Sequence, residues 1–227
     1  MSSRNPLGSV GRAFWRFLRR TPRQSRSQAT VDAMVQALEE RLSLGESLDD
    51  ITIEALSERA GVASGSFYEY FVNKDSVLGL LVGKITQRNF TELSNQLESL
   101  KEPTLDGHVD AFSEIVVRTY FSRPRRLRAE VLGIGRLGLL EIVTLERDRF
   151  AELMAKSVKP YLPSADDREL FRTLCLVADA TMGILGSEAL RPHPAALTQL
   201  VNEIATITRA ILRSRHSGVI EARLSPD

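Results

Sequence analysis

Residues 51–74 read ITIEALSERAGVASGSFYEYFVNK and place four hydroxyl groups, on Ser64, Ser66, Tyr68 and Tyr70, within seven positions. A hydroxyl both donates and accepts hydrogen bonds, so the chemistry on offer is recognition. Phe67 and Phe71 stand four residues apart and turn inward on a helix of about two turns, which leaves the four hydroxyls on its other side. The element before it must hold this helix in place. Ile53, Leu56 and Ala60 fall on one face at helical spacing, with Thr52 set to cap their start. Gly61 follows where that helix must stop, because glycine enters the left-handed conformation without steric cost. Val62 and Ala63 fill the turn. Two short helices about a tight turn, followed at once by a third, are the layout of a helix-turn-helix whose second helix can enter a DNA major groove.

The segment 57–78, SERAGVASGSFYEYFVNKDSVL, resembles the pattern AERAGVSxGTLYxYFxxKExL of the TetR family of bacterial transcriptional regulators. The resemblance runs over about residues 29–81; the remainder is similar to the family in length and helical texture only. It implies an all-α fold with an amino-terminal three-helix DNA-binding domain and a larger helical domain, about nine helices in all. It also implies roles for single residues. Thr52 resembles a phosphate-binding hydroxyl. Ser64 and Ser66 sit where the family reads base edges or grips phosphate, and Gly65 permits close backbone approach. Tyr68 and Tyr70 resemble phosphate clamps, and Lys74 resembles the lysine that meets the DNA backbone from the next helix. Phosphate contacts set register and base contacts set sequence preference. Three positions depart from the pattern: Ser64 stands where Lys or Arg is frequent, Glu69 where His is frequent, and Ala63 where a capping Ser or Thr is usual.

Charge is unevenly placed along the chain. Residues 1–31 hold seven arginines (Arg4, Arg12, Arg16, Arg19, Arg20, Arg23, Arg26) and no acid, while the rest carries 23 basic against 29 acidic residues. Residues 32–75 alone have three basic side chains against ten acidic ones. The expected DNA face is therefore electrostatically weak. A basic arm, residues 1–26, is expected to supply the attraction, with Arg19, Arg20, Arg23 and Arg26 beside the DNA in the manner of homeodomain arms. Within the arm, Phe14, Trp15, Phe17 and Leu18 with Arg16, Arg19 and Arg20 suggest a short amphipathic helix. The Arg- and Ser-rich end also resembles a transit peptide, a reading set aside because the motif belongs to a bacterial family.

The rest of the chain reads as helix. A first helix from about residue 27 carries Val31, Met34, Val35, Leu38 and Leu42, and Gly45 ends it. Asn73 caps a helix running to about residue 100, with a bend near Gly83. Further helices are expected at 106–121, 124–139, 140–161, 167–190 and 194–215, with a patternless tail from His216. The domain expectation is thus 27–75 for DNA binding, 76–215 for ligand binding and dimerisation, and 216–227 as a tail.

Other chemistries find little support. His108, His193 and His216 are far apart and lack Cys or acid at zinc spacing, so no metal or other cofactor is expected. The single cysteine, Cys175, lies in the apolar run LFRTLCLVADA and reads as a small buried hydrophobe suited to a reducing cytosol. Residues 133–138 spell GxGxxG, but no strand leads into them, so they read as a close-packing helix surface or a bend. No apolar run approaches the ~20 residues that span a bilayer. No catalytic constellation is present, and no enzyme is expected.

The last two long helices are the expected homodimer elements, 167–190 and 194–215. One stripe is Leu174, Val177, Ala178, Thr181, Leu185 and Ala189, and the other runs from Leu197 to Leu212. The resemblance implies that such helices pair with their copies in a four-helix bundle. It also places a pocket for a small hydrophobic ligand in the region 106–161, with Phe112, Val116, Tyr120, Leu132 and Phe150 as candidate walls and Arg136 and Glu141 as polar groups. The expected function is a dimeric repressor released from a palindromic double-stranded DNA operator by that ligand. An activator, a ligand-independent regulator or a protein-interaction module are the alternatives.

Overall fold

The computed structural model describes residues 14–224. The expectations for Arg4 and Arg12 lie outside these residues. Among the described residues there are nine α-helices and no strand. They are α1 (Ser25–Ser43), α2 (Ile53–Arg59), α3 (Ser64–Tyr70), α4 (Lys74–Ser99), α5 (Leu105–Phe121), α6 (Pro124–Leu137), α7 (Leu140–Val158), α8 (Asp167–Leu190) and α9 (Leu197–Leu224). In the described part of the arm Phe14 is helical and Trp15–Phe17 form a 3-10 turn.

The chain divides into two compact units. One holds the described residues up to Arg88 together with Arg125–Leu140; the other holds Asn89–Pro124 and the described residues from Glu141 onward. This division falls at residue 88 rather than 75, and it brings α6 into the amino-terminal unit.

The first unit forms as its sequence dictates. α1 buries Val31, Met34, Val35 and Leu38 along one stripe, and Gly45 turns the chain at φ 95°. Thr52 caps α2, its Oγ1 accepting from the Ala55 N–H at 3.1 Å. Gly61 follows with φ 68°. Asn73 Oδ1 accepts from the Ser76 N–H at 3.0 Å and starts α4. Ile51, Leu56, Phe67 and Phe71 are wholly buried beneath the motif, each contributing about 1.5–3 kcal/mol of transfer free energy.

α6 is fastened to this unit at three places. Arg125 donates to the carbonyls of Ser43 and Leu44 at 3.4 and 3.2 Å, satisfying carbonyls that the end of α1 leaves open. Gly133 lies against α4, where a Cβ would come within 3.1 Å of Val82 Cγ2. Arg136 pairs with Asp49 and Asp75, both at 2.8 Å. The GxGxxG run thus serves helix packing and a helix stop: Gly138 adopts φ 63° and the Leu139 N–H returns to the Ile134 carbonyl at 3.0 Å.

The second unit is a helical body in which α5 runs along α9. Arg209 pairs with Asp110 at 2.6 Å and Arg213 with Asp106 at 3.0 Å. The stripe Leu174, Val177, Ala178, Thr181, Leu185, Ala189 is buried within this one chain, in the unit's own core. One feature differs from the sequence reading. The helix expected to end at 215 continues to Leu224 across a break at His216, which has φ −130° and ψ 26°. The His216 ring is buried and its Nε2 lies 3.2 Å from Thr173 Oγ1. Among the described residues α8 is long and apolar enough to cross a membrane by length and composition alone.

Candidate nucleic-acid interface

α3 turns one face into the unit and the other to solvent. Phe67 is fully buried, with the Phe71 and Tyr68 rings at 5.4 and 5.3 Å. Ser64, Gly65 and Tyr68 are exposed and Ser66 is half-exposed. A Cβ at Gly65 would meet no atom within 4 Å, so its backbone is open to close approach. Ala63 offers no side-chain cap, and the first N–H groups of α3 are left to other partners. Tyr68 is 48% exposed.

Tyr70 corrects the sequence reading. The sequence pattern places it with the free hydroxyls, but its residue is only 9% exposed. α3 is seven residues long, and its last residue falls back against the core beside Phe71. Lys74 also has a partner inside the protein. Its ammonium donates to the carbonyls of Leu48 at 2.8 Å and Asp49 at 3.1 Å, and so ties the loop before α2 to the start of α4. Thr52 is exposed while its hydroxyl serves as the cap of α2.

Four arginines of the described arm, Arg16, Arg19, Arg20 and Arg23, are exposed, as is Arg26, which falls in the first turn of α1 rather than in the arm. The arm is attached directly to α3. The Arg19 N–H donates to the Tyr70 carbonyl at 2.8 Å, and the Arg19 guanidinium reaches the Tyr68 carbonyl at 3.4 Å. Phe14 is 2% exposed, a residue whose sequence context suggests only an amphipathic helix. Acidic residues flank the face: Glu54, Glu58 and Glu69 are all exposed. Arg59 is drawn aside, pairing with Glu40 at 2.7 Å and holding that carboxyl below its ordinary range.

The candidate ligand residues separate. Phe112, Val116 and Phe150 are buried together in the second unit, where the Phe112 and Phe150 rings meet edge to face at 5.7 Å. Tyr120 is half-exposed and Glu141 exposed in the same unit. Leu132 and Arg136 belong to the first unit. Leu132 is 52% exposed, and Arg136 is held by Asp49 and Asp75, which push its pKa further up. A polar group to which the sequence pattern gives no role is His108. It is buried, its Nε2 lies 2.7 Å from Ser157 Oγ, and burial pushes its pKa down while Glu102 opposes. Nothing in its local sequence marks it; only its place on the face of α5 that carries Phe112 does.

Comparison with known proteins bears on the same segment. Residues 45–80 match the family model "Bacterial regulatory proteins, tetR family". The chain is 29% identical over 106 residues to the "Uncharacterized HTH-type transcriptional regulator YwcC" of Bacillus subtilis, a match spanning 45% of this chain and 45% of that protein, less than half the length of either. Among solved structures, it resembles a TetR-family transcriptional regulator of Mesorhizobium loti, with TM-score 0.64 and 14% identity over 84% of this chain and 98% of the other. It also resembles SmeT, "the repressor of the Stenotrophomonas maltophilia multidrug efflux pump SmeDEF", with TM-score 0.56 and 20% identity over 81% of this chain and 90% of the other.

Proposed function

We propose that this chain, whose residues 45–80 match the model of the tetR family of bacterial regulatory proteins, is a member of that family and a homodimeric cytoplasmic repressor, released from a palindromic operator by a small hydrophobic molecule. The observation that carries the reading is the open face of α3. Ser64, Gly65 and Tyr68 stand exposed on a helix whose other side is locked by Phe67. Such a face fits a major groove, with Ser64 and Ser66 toward base edges and Tyr68 and Thr52 toward phosphates. Lys74 reaches phosphate by exchanging the loop carbonyls that now hold it. Arg19, Arg20, Arg23 and Arg26 add charge that residues 32–75 lack.

A single short recognition helix reads few bases, whereas two of them about 34–36 Å apart read a palindrome. The surface for self-association is the outer side of α8. There Leu176, Ala180, Gly183 and Ser187 recur at spacings of four, three and four residues, and Leu176 is 43% exposed. Alternation of that kind, with small residues between, suits close helix pairing. The ligand reading rests on the apolar cluster of Phe112, Val116 and Phe150. Repression is supported by the likeness to SmeT, itself a repressor. Release follows from population shift. A ligand favouring a dimer whose recognition helices are misplaced for the operator weakens DNA binding by no more than its differential affinity for the two states.

The test is a gel shift and footprint on the DNA flanking the protein's own gene. A protected palindrome that survives competitor DNA and is lost on adding an apolar ligand supports the reading. Protection that never becomes sequence-specific defeats it.

A further inference from the structure

Gly79 and Gly83 stand one turn apart on α4, and each faces an aromatic ring from the arm. A Cβ at Gly83 would lie 2.4 Å from Phe14 Cγ, and one at Gly79 would lie 2.4 Å from Phe17 Cδ2. No side chain fits at either place while the rings stay. The two rings stack on each other with centroids 6.4 Å apart, and the Arg16 guanidinium lies 5.3 Å from the Phe17 ring centroid. Two residues beyond Phe17, the Arg19 N–H is bonded to the last carbonyl of α3 at 2.8 Å. The arm is thus fastened to α4 by Phe14 and Phe17 and to α3 by Arg19. Its exposed arginines follow directly.

We propose that Phe14 and Phe17, seated in the notches of Gly83 and Gly79, are positioning residues for DNA binding. They fix the arginine row of the arm beside α3, so that it meets the phosphates flanking the recognition site. The inference rests on the reading of α3 and the arm as the DNA face. Two arguments support it. Residues 32–75 carry ten acids against three bases, so the phosphate attraction must come from elsewhere in the unit. A backbone already fixed in the free protein has no freedom left to lose on binding, which makes each arginine of the arm more effective than one on an unanchored tail.

The experiment uses the full chain and three variants, with a mixed-sequence duplex of about 40 base pairs titrated between about 50 and 200 mM salt. G79A/G83A fills both notches, and alanine favours the helix more than glycine does, so α4 persists. F14S/F17S removes the anchors and keeps every charge. R20A/R23A removes charge from the arm and keeps the anchors. The slope of log affinity against log salt falls by about one for each phosphate that the protein no longer neutralises. A slope reduced by about two in all three variants, with unchanged melting for at least one anchor variant, is the expected result. A flattened slope in the arginine variant alone overturns the inference and leaves the arm binding DNA without an anchor. An unchanged slope in the arginine variant overturns the DNA reading of the arm itself. If G79A/G83A melts early, F14S/F17S decides.

Discussion

Tyr68 and Tyr70 are two residues apart, carry the same side chain and invite the same reading, yet the structure gives them different surroundings. Tyr68 is 48% exposed and Tyr70 is 9% exposed. Removing the Tyr68 hydroxyl by Tyr68→Phe leaves its ring packed on Phe67, at 5.3 Å, so stability stays within about 0.5 kcal/mol. In the proposed complex that hydroxyl would exchange water for a charged phosphate oxygen. Hydrogen bonds to charged groups contribute about 1.5–3 kcal/mol, and exposure argues for the lower end. About 1.5 kcal/mol is roughly tenfold in Kd for each half-site. Two independent half-sites then give about a hundredfold on a palindrome. Tyr70→Phe keeps the buried ring and should leave affinity within about threefold, whereas Tyr70→Ala should cost about 3 kcal/mol of stability by opening a cavity in the core. Fluorescence anisotropy with a labelled operator duplex, run beside thermal unfolding, measures both. Equal weakening by the two phenylalanine variants refutes the reasoning, as does a Tyr68→Phe protein that binds like the parent.

Three further outcomes are expected. Gly61→Ala forces a side chain into φ 68°, although a Cβ there would meet nothing within 4 Å; the cost is backbone strain of about 1–2 kcal/mol, read as a melting temperature roughly 2–8 °C lower, with Gly61→Asn losing less. Arg136→Ala breaks two exposed ion pairs, to Asp49 and Asp75, each contributing about 0.2–1 kcal/mol, and should show chiefly as faster hydrogen exchange in the loop before α2. His108 is held neutral by burial, below its ordinary 6.5. Since the unfolded chain takes up that proton first, the contribution of this group to stability is full above pH 6.5 and declines as pH falls toward the folded value. His108→Gln should flatten that decline in denaturant titrations between about pH 7 and 5.

Much of the fold is legible in the sequence because its signals are local. Thr52, Gly61 and Asn73 mark helix ends by their own chemistry, and α3 and α8 have the bounds that their patterns imply. What stays hidden depends on residues far apart. Gly83 reads as a bend because its partner, Phe14, lies 69 positions upstream, and no period connects them. The apolar stripe of α8 announces burial but not against what; it is buried within this chain, and the outer row of Leu176, Ala180, Gly183 and Ser187 carries a single large apolar side chain and so does not stand out. Tyr70 is misplaced for a similar reason, since a helix of two turns gives too few repeats to define its faces. The pattern ends α9 early because the sequence after Arg215 lacks an apolar period, while the helix persists beyond the break at His216.

The amino-terminal unit is assembled from two stretches of chain, and this sets an order of events during synthesis. Its first stretch ends at Arg88 and its second ends at Leu140, so α1 to α4 leave the ribosome without the helix that clamps them. At about 5–20 residues per second, α6 emerges roughly 3–10 s later. Until then the carbonyls that Arg125 holds, and the flank of α4 that Gly133 covers, are open to water. A nascent chain of this protein therefore completes its amino-terminal unit only after α5 has been made, and truncation between Arg88 and Arg125 yields a fragment with the motif but without its support.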